Sequence, residues 1–206
     1  MKKTLIILMM VLLAAVLFVS CDDSTDVAYK VGDTVNYGTY PDNYDVADLR
    51  GDSVTWKVLS VDTANSRMLV ISERILEKLR QFDSSSSSSY SDSSIRSYLN
   101  GDFITTYGLS GVDMCKVDVT TEIETTKVGS GSDKVFLLSK TEAENKSYFV
   151  DATARIAYYT DNYSPAWWLR SANGGNVYSV TNKGNFDGQG TPSYNGGVRP
   201  AMWVNF

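Results

Sequence analysis

The chain has no histidine. That absence removes Ser-His-Asp and Cys-His nucleophilic catalysis, imidazole general-base chemistry and every histidine-bearing zinc site. Cysteine is almost absent too, with Cys21 and Cys115 the only two. A four-thiolate zinc site is therefore excluded, and no disulfide framework braces the fold. Cys115, within Val112-Asp113-Met114-Cys115-Lys116-Val117, reads as a small buried hydrophobe rather than a nucleophile. No Gly-x-x-x-x-Gly-Lys-Ser/Thr phosphate loop occurs, and no Gly-x-Gly-x-x-Gly follows a strand. Positive charge is in deficit, 19 Lys and Arg against 24 Asp and Glu, for a formal net charge of −5. With no basic run, the chain is not built for nucleic acid or for electrostatic docking to anionic lipid. No cofactor and no metal site is expected.

What is present is aromatic and polar. The 206 residues include 13 Tyr, 7 Phe and 4 Trp, which must supply the core that disulfides do not. Met1-Lys2-Lys3 is a positive start, followed by an unbroken apolar run over 5–19. That run is short for a membrane span, which wants about 20 residues, and fits a secretory signal. Leu17-Phe18-Val19-Ser20-Cys21-Asp22 then places a small residue directly before a cysteine. This resembles a bacterial lipoprotein signal, although Phe18 stands where the tightest form of that box has Leu. The expected organisation is a lipoprotein signal peptide over 1–20, a tether over 21–29 with Cys21 acylated (palmitate among the chains), and one domain over 30–206. Asp22 is similar to a sorting residue of inner-membrane lipoproteins; the membrane and its face stay open.

Along the domain, a turn leads into a first strand over 31–38, and 41–52 is loop. Residues 54–61 alternate as a half-buried strand, with 67–72 as hairpin partner across a turn at 63–66. The all-apolar middle of 67–72 places it centrally in a sheet. A short helix is expected over 73–80. Six consecutive serines, 84–89, mark an exposed loop over 82–94. Ser94 is a candidate cap for a helix carrying Ile95, Tyr98, Leu99 and Phe103, with Asn100-Gly101 as its stop. An edge hairpin over 114–126, a Gly/Ser connector over 128–132 and a buried strand over 133–139 follow. Ser139 and Glu142 fit a capping box for a helix reaching about 146. Residues 148–163 carry five aromatics and favour neither helix nor strand. Strands at 167–170, 177–181 and 198–204 complete the chain, with a turn at 182–184. The fold class is α+β: strands in hairpins with short helices set among them make one domain.

Arg170 and Arg199 each lie inside an apolar run, so each guanidinium must find partners indoors, an acid such as Glu142 or Glu73. Trp56, Arg96, Trp167, Trp168 and Trp203 join them as structural residues.

Five ordered motifs, Thr55-Trp56-Lys57-Val58-Leu59, Ser94 to Asn100, Val135-Phe136-Leu137-Leu138-Ser139 with Glu142, Trp167-Trp168-Leu169-Arg170-Ser171, and Gly197-Val198-Arg199-Pro200-Ala201, resemble a bacterial family. It is a domain of unknown function common in secreted and lipid-anchored proteins; members often have Pro at the place of Ala172. That family is in turn similar to the C-type-lectin-like fold, which includes formylglycine-generating enzymes. The likeness implies a compact α+β domain of small twisted antiparallel sheets with long display loops on one side. It implies no chemistry, since paired cysteines and the lectin Glu-Pro-Asn or Gln-Pro-Asp triplets are missing.

The tract 173–197 is rich in Asn, Gly, Ser and Tyr, the composition of adaptable recognition surfaces. Tyr158, Tyr159, Tyr163, Asn176, Tyr178, Asn185, Phe186, Asp187, Tyr194 and Asn195 are the candidate ligand-binding residues. The same aromatics also suit a small core, and both readings stand at this point. Asn185, Asp187 and Gln189 offer oxygens to a calcium ion without the spacing of a calcium loop; turn chemistry accounts for them better. The expectation is a non-enzymatic, lipid-anchored binding module on the bacterial cell envelope, taking a protein or glycan through its C-terminal loops. The alternatives are a carboxylate-dependent hydrolase of envelope polysaccharide and a purely structural envelope lipoprotein.

Overall fold

The computed structural model describes residues 29–119 and 133–206. The expected signal segment, Cys21, the expected tether up to residue 28, the second half of the hairpin expected over 114–126 and the connector expected over 128–132 lie outside the described residues.

Two five-stranded sheets form the domain. In the first, β1 (Thr34–Thr39) pairs with β2 (Ser53–Asp62), β2 with β3 (Arg67–Ser72), β3 with β10 (Ala201–Asn205), and β10 with β5 (Val135–Phe136), all antiparallel. The β2–β3 hairpin is where the alternation places it, and β3 is central. Its turn is a short 3₁₀ stretch, Thr63–Asn65, capped by Asp62 and closed by Ser66 in the left-handed region at φ 48°. Trp56, fully buried on β2, donates from Nε1 to the Tyr37 carbonyl at 2.9 Å, so its one polar atom is satisfied.

The second sheet runs β4 (Glu77–Gln81), β9 (Asn195–Val198), β6 (Trp167–Asn173), β7 (Asn176–Val180), β8 (Phe186–Gly190). All of its pairs are antiparallel except the single β6–β9 pairing at Trp167 and Gly197. Among the described residues, four short helices sit around the sheets: α1 (Ser94–Leu99), α2 (Asp102–Thr106), α3 (Lys140–Glu144) and α4 (Ala152–Arg155). The α+β class and single domain hold.

Several local expectations differ. The segment expected as a helix over 73–80 is extended and enters β4. Its backbone N–H groups bond far along the chain instead of one turn back: Glu73 to the Thr55 carbonyl, Ile75 to Tyr158, Leu76 to Val198. Long-range pairing overrides a weak local propensity. The run 198–204 is two strands in different sheets, because Pro200 cannot donate to a ladder and the chain crosses there. The buried segment 133–139 contributes only two paired residues as β5. Ser93, not Ser94, caps α1. Ser94 Oγ instead accepts from the Ser84 N–H at 3.1 Å. Tract 173–197 carries more regular structure than its composition predicts: β7, β8 and β9, with turns between them.

The two buried arginines act as ties. Arg170 Nη1 donates to the Leu137 carbonyl and to Glu142 Oε2, each at 2.6 Å. The same Glu142 oxygen accepts the Ser139 N–H at 2.8 Å, so β6 is fastened to the capping box that starts α3. Arg199 pairs with carbonyls rather than the expected acid, donating from Nε to Ser72 at 2.9 Å and from Nη1 to Arg155 at 3.1 Å, beneath the Trp167 ring. Burial pushes its pKa down to about 10, which still leaves it charged at neutral pH. Arg96 grips Asp133 through Nε and Nη2 at 2.9 Å. Trp203 is half-buried on β10 with the Arg67 guanidinium 4.7 Å over its ring.

Candidate functional site

Four of the ten candidate residues meet in one groove of about 410 Å³ on the second sheet. Tyr163, Asp187, Tyr194 and Asn195 line it, with Gln189 of β8 and Leu79 of β4. Its floor is Trp168, whose Nε1 donates to the Arg80 carbonyl at 2.9 Å, anchoring the indole across three strands. The glycines of the tract explain how the ring fits. A Cβ on Gly190 would sit 2.4 Å from the Trp168 ring, and one on Gly196 would sit 2.6 Å from it. Only hydrogen leaves room there, so the Gly-rich composition serves a packed floor.

The rim is wet and aromatic. Tyr194 is 69% exposed and Tyr163 44%, with Leu79 at 57% beside them. Asp187 and Gln189 both project as exposed residues of β8, and the Asp187 carboxylate accepts the Gln189 N–H at 3.0 Å. Asp187 is the one carboxylate on this groove. Hydrolysis of a glycosidic bond needs two, one on each side of the bond. The groove thus lacks the pair of carboxylates that the usual glycosidase geometry needs. Among the described residues, no group of three or more His, Cys, Asp or Glu gathers to hold a metal.

The other candidates lie elsewhere. Tyr178 and Phe186 share a patch with cations, Lys140 Nζ standing 5.5 and 5.3 Å from their ring centroids and Arg155 4.6 Å over Phe186. Asn185 donates its N–H to Thr181 Oγ1 at 3.2 Å, closing the β7–β8 turn. Asn176 is half-buried in β7, facing Asn173 across the β6–β7 pair. Tyr158 is 48% exposed beside Arg74 and Asp161, which pair at 2.7 Å. Tyr159 is buried against Tyr44; burial first and then the Asp45 carboxylate push its hydroxyl up to about 12.

Sequence reasoning missed a second cavity, of about 530 Å³, on the other side of β4. Tyr44, Tyr98, Tyr107 and Tyr159 wall it, with Glu77 and Arg80 of β4 between them. Glu77 Oε1 accepts from the Tyr98 hydroxyl at 2.6 Å and from Tyr107 at 3.2 Å. The Arg80 guanidinium lies 3.3 Å over the Tyr98 ring. Burial, with Glu77 next for Tyr98 and Tyr107, raises the pKa of all three of Tyr44, Tyr98 and Tyr107, so each stays a neutral hydroxyl. These residues come from four separated segments, and no local spacing announces them.

Neither a search of curated proteins nor one of solved structures finds a match to this chain. A family model does. The Domain of unknown function (DUF6273) model matches residues 65–206, from the β2–β3 turn to the C-terminal residue and so across β3 to β10 with both cavities' β4 wall, and the chain belongs to that family.

Proposed function

We propose that this chain is a lipid-anchored binding module of the bacterial cell envelope that holds a glycan in the groove over Trp168. The observation that carries the reading is the pairing, along one groove, of exposed tyrosine rings with amide and carboxylate groups: Tyr163 and Tyr194 with Asp187, Gln189 and Asn195. A sugar ring offers both matching surfaces, an apolar C–H face for the aromatics and hydroxyls for the amides and carboxylate. A single carboxylate supports retention without turnover. Anchoring rests on the Leu17-Phe18-Val19-Ser20-Cys21 sequence, with acyl chains and not charge holding an acidic protein to its membrane. The C-type-lectin-like kinship belongs to the same reading, supported by the single α+β domain of two small sheets.

The test is a screen of the purified protein against a panel of bacterial envelope glycans, run beside Tyr194→Ala. Binding by the wild type that weakens about tenfold in the variant, about 1.4 kcal/mol, is the expected result. A panel without a binder, or glycan binding indifferent to Tyr194, refutes the site.

A further inference from the structure

The tyrosine-walled cavity is a site in its own right, and its charges are arranged in an incomplete way. Asp45 is matched by Lys78 at 2.5 Å. Glu77 uses Oε1 for two tyrosine hydroxyls, while Oε2 lies 4.0 Å from Arg80 Nη2, beyond hydrogen-bond reach. Arg80 Nε is buried with no hydrogen-bond partner, although the side chain as a whole is 35% exposed at the cavity. The exposed end of the Arg80 side chain, beyond its buried Nε, and the second carboxylate oxygen of Glu77 thus face the same space, with Asp102 at the rim. A guanidinium in that state favours a carboxylate, which meets two of its donors at once. A simple anion, however, would be repelled by Glu77 and Asp102, and a simple cation would meet Arg80. A ligand carrying both charges side by side satisfies both residues. The neutral tyrosine hydroxyls add donors without adding charge, and their rings wall a space of about 530 Å³, ample for a side chain.

We infer that this cavity binds a free α-amino acid as its zwitterion, with the ligand carboxylate on Arg80 and its ammonium on Glu77 Oε2. The groove over Trp168 lies across β4 and is a separate site, so this assignment stands or falls independently of the glycan reading.

The experiment follows thermal unfolding and titration calorimetry of the full chain, solubilised in detergent, with a panel of free amino acids. At about 10 mM a ligand with a Kd near 1 mM raises the midpoint by mass action. At least one free amino acid is expected to do so, and its N-acetyl and carboxamide derivatives, each lacking one charge, are expected to lose the effect. Arg80→Gln and Glu77→Gln should each weaken binding about tenfold or more with unchanged circular dichroism, while Tyr194→Ala binds as the wild type does. The derivative series needs no variant, so a variant that fails to fold leaves the test intact. No response to any free amino acid, derivatives that bind as well as their parents, or a neutral saccharide taking the cavity in their place overturns the assignment.

Discussion

Arg199 sits where the chain crosses from one sheet to the other twice. β3 ends at Ser72, β9 ends at Val198, and the Arg199 guanidinium bonds the Ser72 carbonyl while the Ser72 N–H bonds the Pro200 carbonyl at 2.9 Å. Removing it orphans the Ser72 carbonyl indoors, at about 1–3 kcal/mol, leaves the Arg155 carbonyl with Trp167 Nε1 at 3.2 Å as its remaining donor, and leaves the volume of a long side chain empty. Arg199→Leu is therefore expected to misfold or to lose several kcal/mol of stability in urea unfolding. A soluble variant with wild-type stability would show that the tie is dispensable. At this scale the sequence was partly readable. An arginine in an apolar run announces an internal partner, and Glu142, one of the two acids offered for either arginine, is the one that meets Arg170. The carbonyls that hold Arg199 gave no sign, because every residue has one and only the fold selects among them.

Among elements, the serine-rich loop shows how a polar tract acquires a shape. Asp83 is buried at its start and accepts from the N–H groups of Ser85, Ser87 and Ser94 and from the Ser85 hydroxyl. Burial alone would raise its pKa, but the Ser85 hydroxyl and those backbone donors outweigh it and hold the carboxyl below the usual aspartate range. A depressed folded-state pKa gives stability that is fully present above the unfolded value, about 3.9, and is lost as pH falls through the lower folded value. Asp83→Asn should cost about 1–3 kcal/mol at neutral pH, and the gap to the wild type should narrow below about pH 4. Urea unfolding of both proteins from pH 7 to pH 3 measures this; a gap that stays constant across that range contradicts it. Composition identified the loop but not its organiser, since one aspartate before six serines looks like any solvated turn. β4 was hidden for a related reason. Its strand state depends on pairing Glu77 with Val198 and Gln81 with Asn195, contacts that no window of neighbouring residues contains. The β2–β3 hairpin and the α3 capping box, by contrast, are set by period-two alternation and by a three-residue spacing, and both were legible.

For the whole molecule, the proposed N-terminal lipid anchors a domain whose two cavities flank one edge strand. Cys21→Ser tests the first half. Labelled palmitate is expected to enter the wild-type chain and not the variant, and the variant should leave the membrane fraction. A Cys21→Ser chain that keeps both label and membrane association would place the anchor elsewhere. Part of the groove's lining was legible: Tyr163 from the aromatic stretch and Asp187, Tyr194 and Asn195 from the Asn/Gly/Ser/Tyr tract converge on it. Tyr178 and Phe186 lie instead under Lys140 and Arg155, because alternate residues of β7 and β8 face opposite ways and their neighbours Ser179 and Asp187 take the groove side. The tyrosine pocket was not legible, being assembled by topology from distant segments.

The central claim is that the groove over Trp168 is the glycan site. Titration calorimetry of envelope glycan fragments against the wild type and a Tyr163→Ala, Tyr194→Ala double variant tests it most directly. The account predicts measurable heat of binding to the wild type, loss of at least about tenfold in affinity in the double variant, and the same unfolding midpoint for both proteins. Equal affinity in the two, at matched stability, would contradict it.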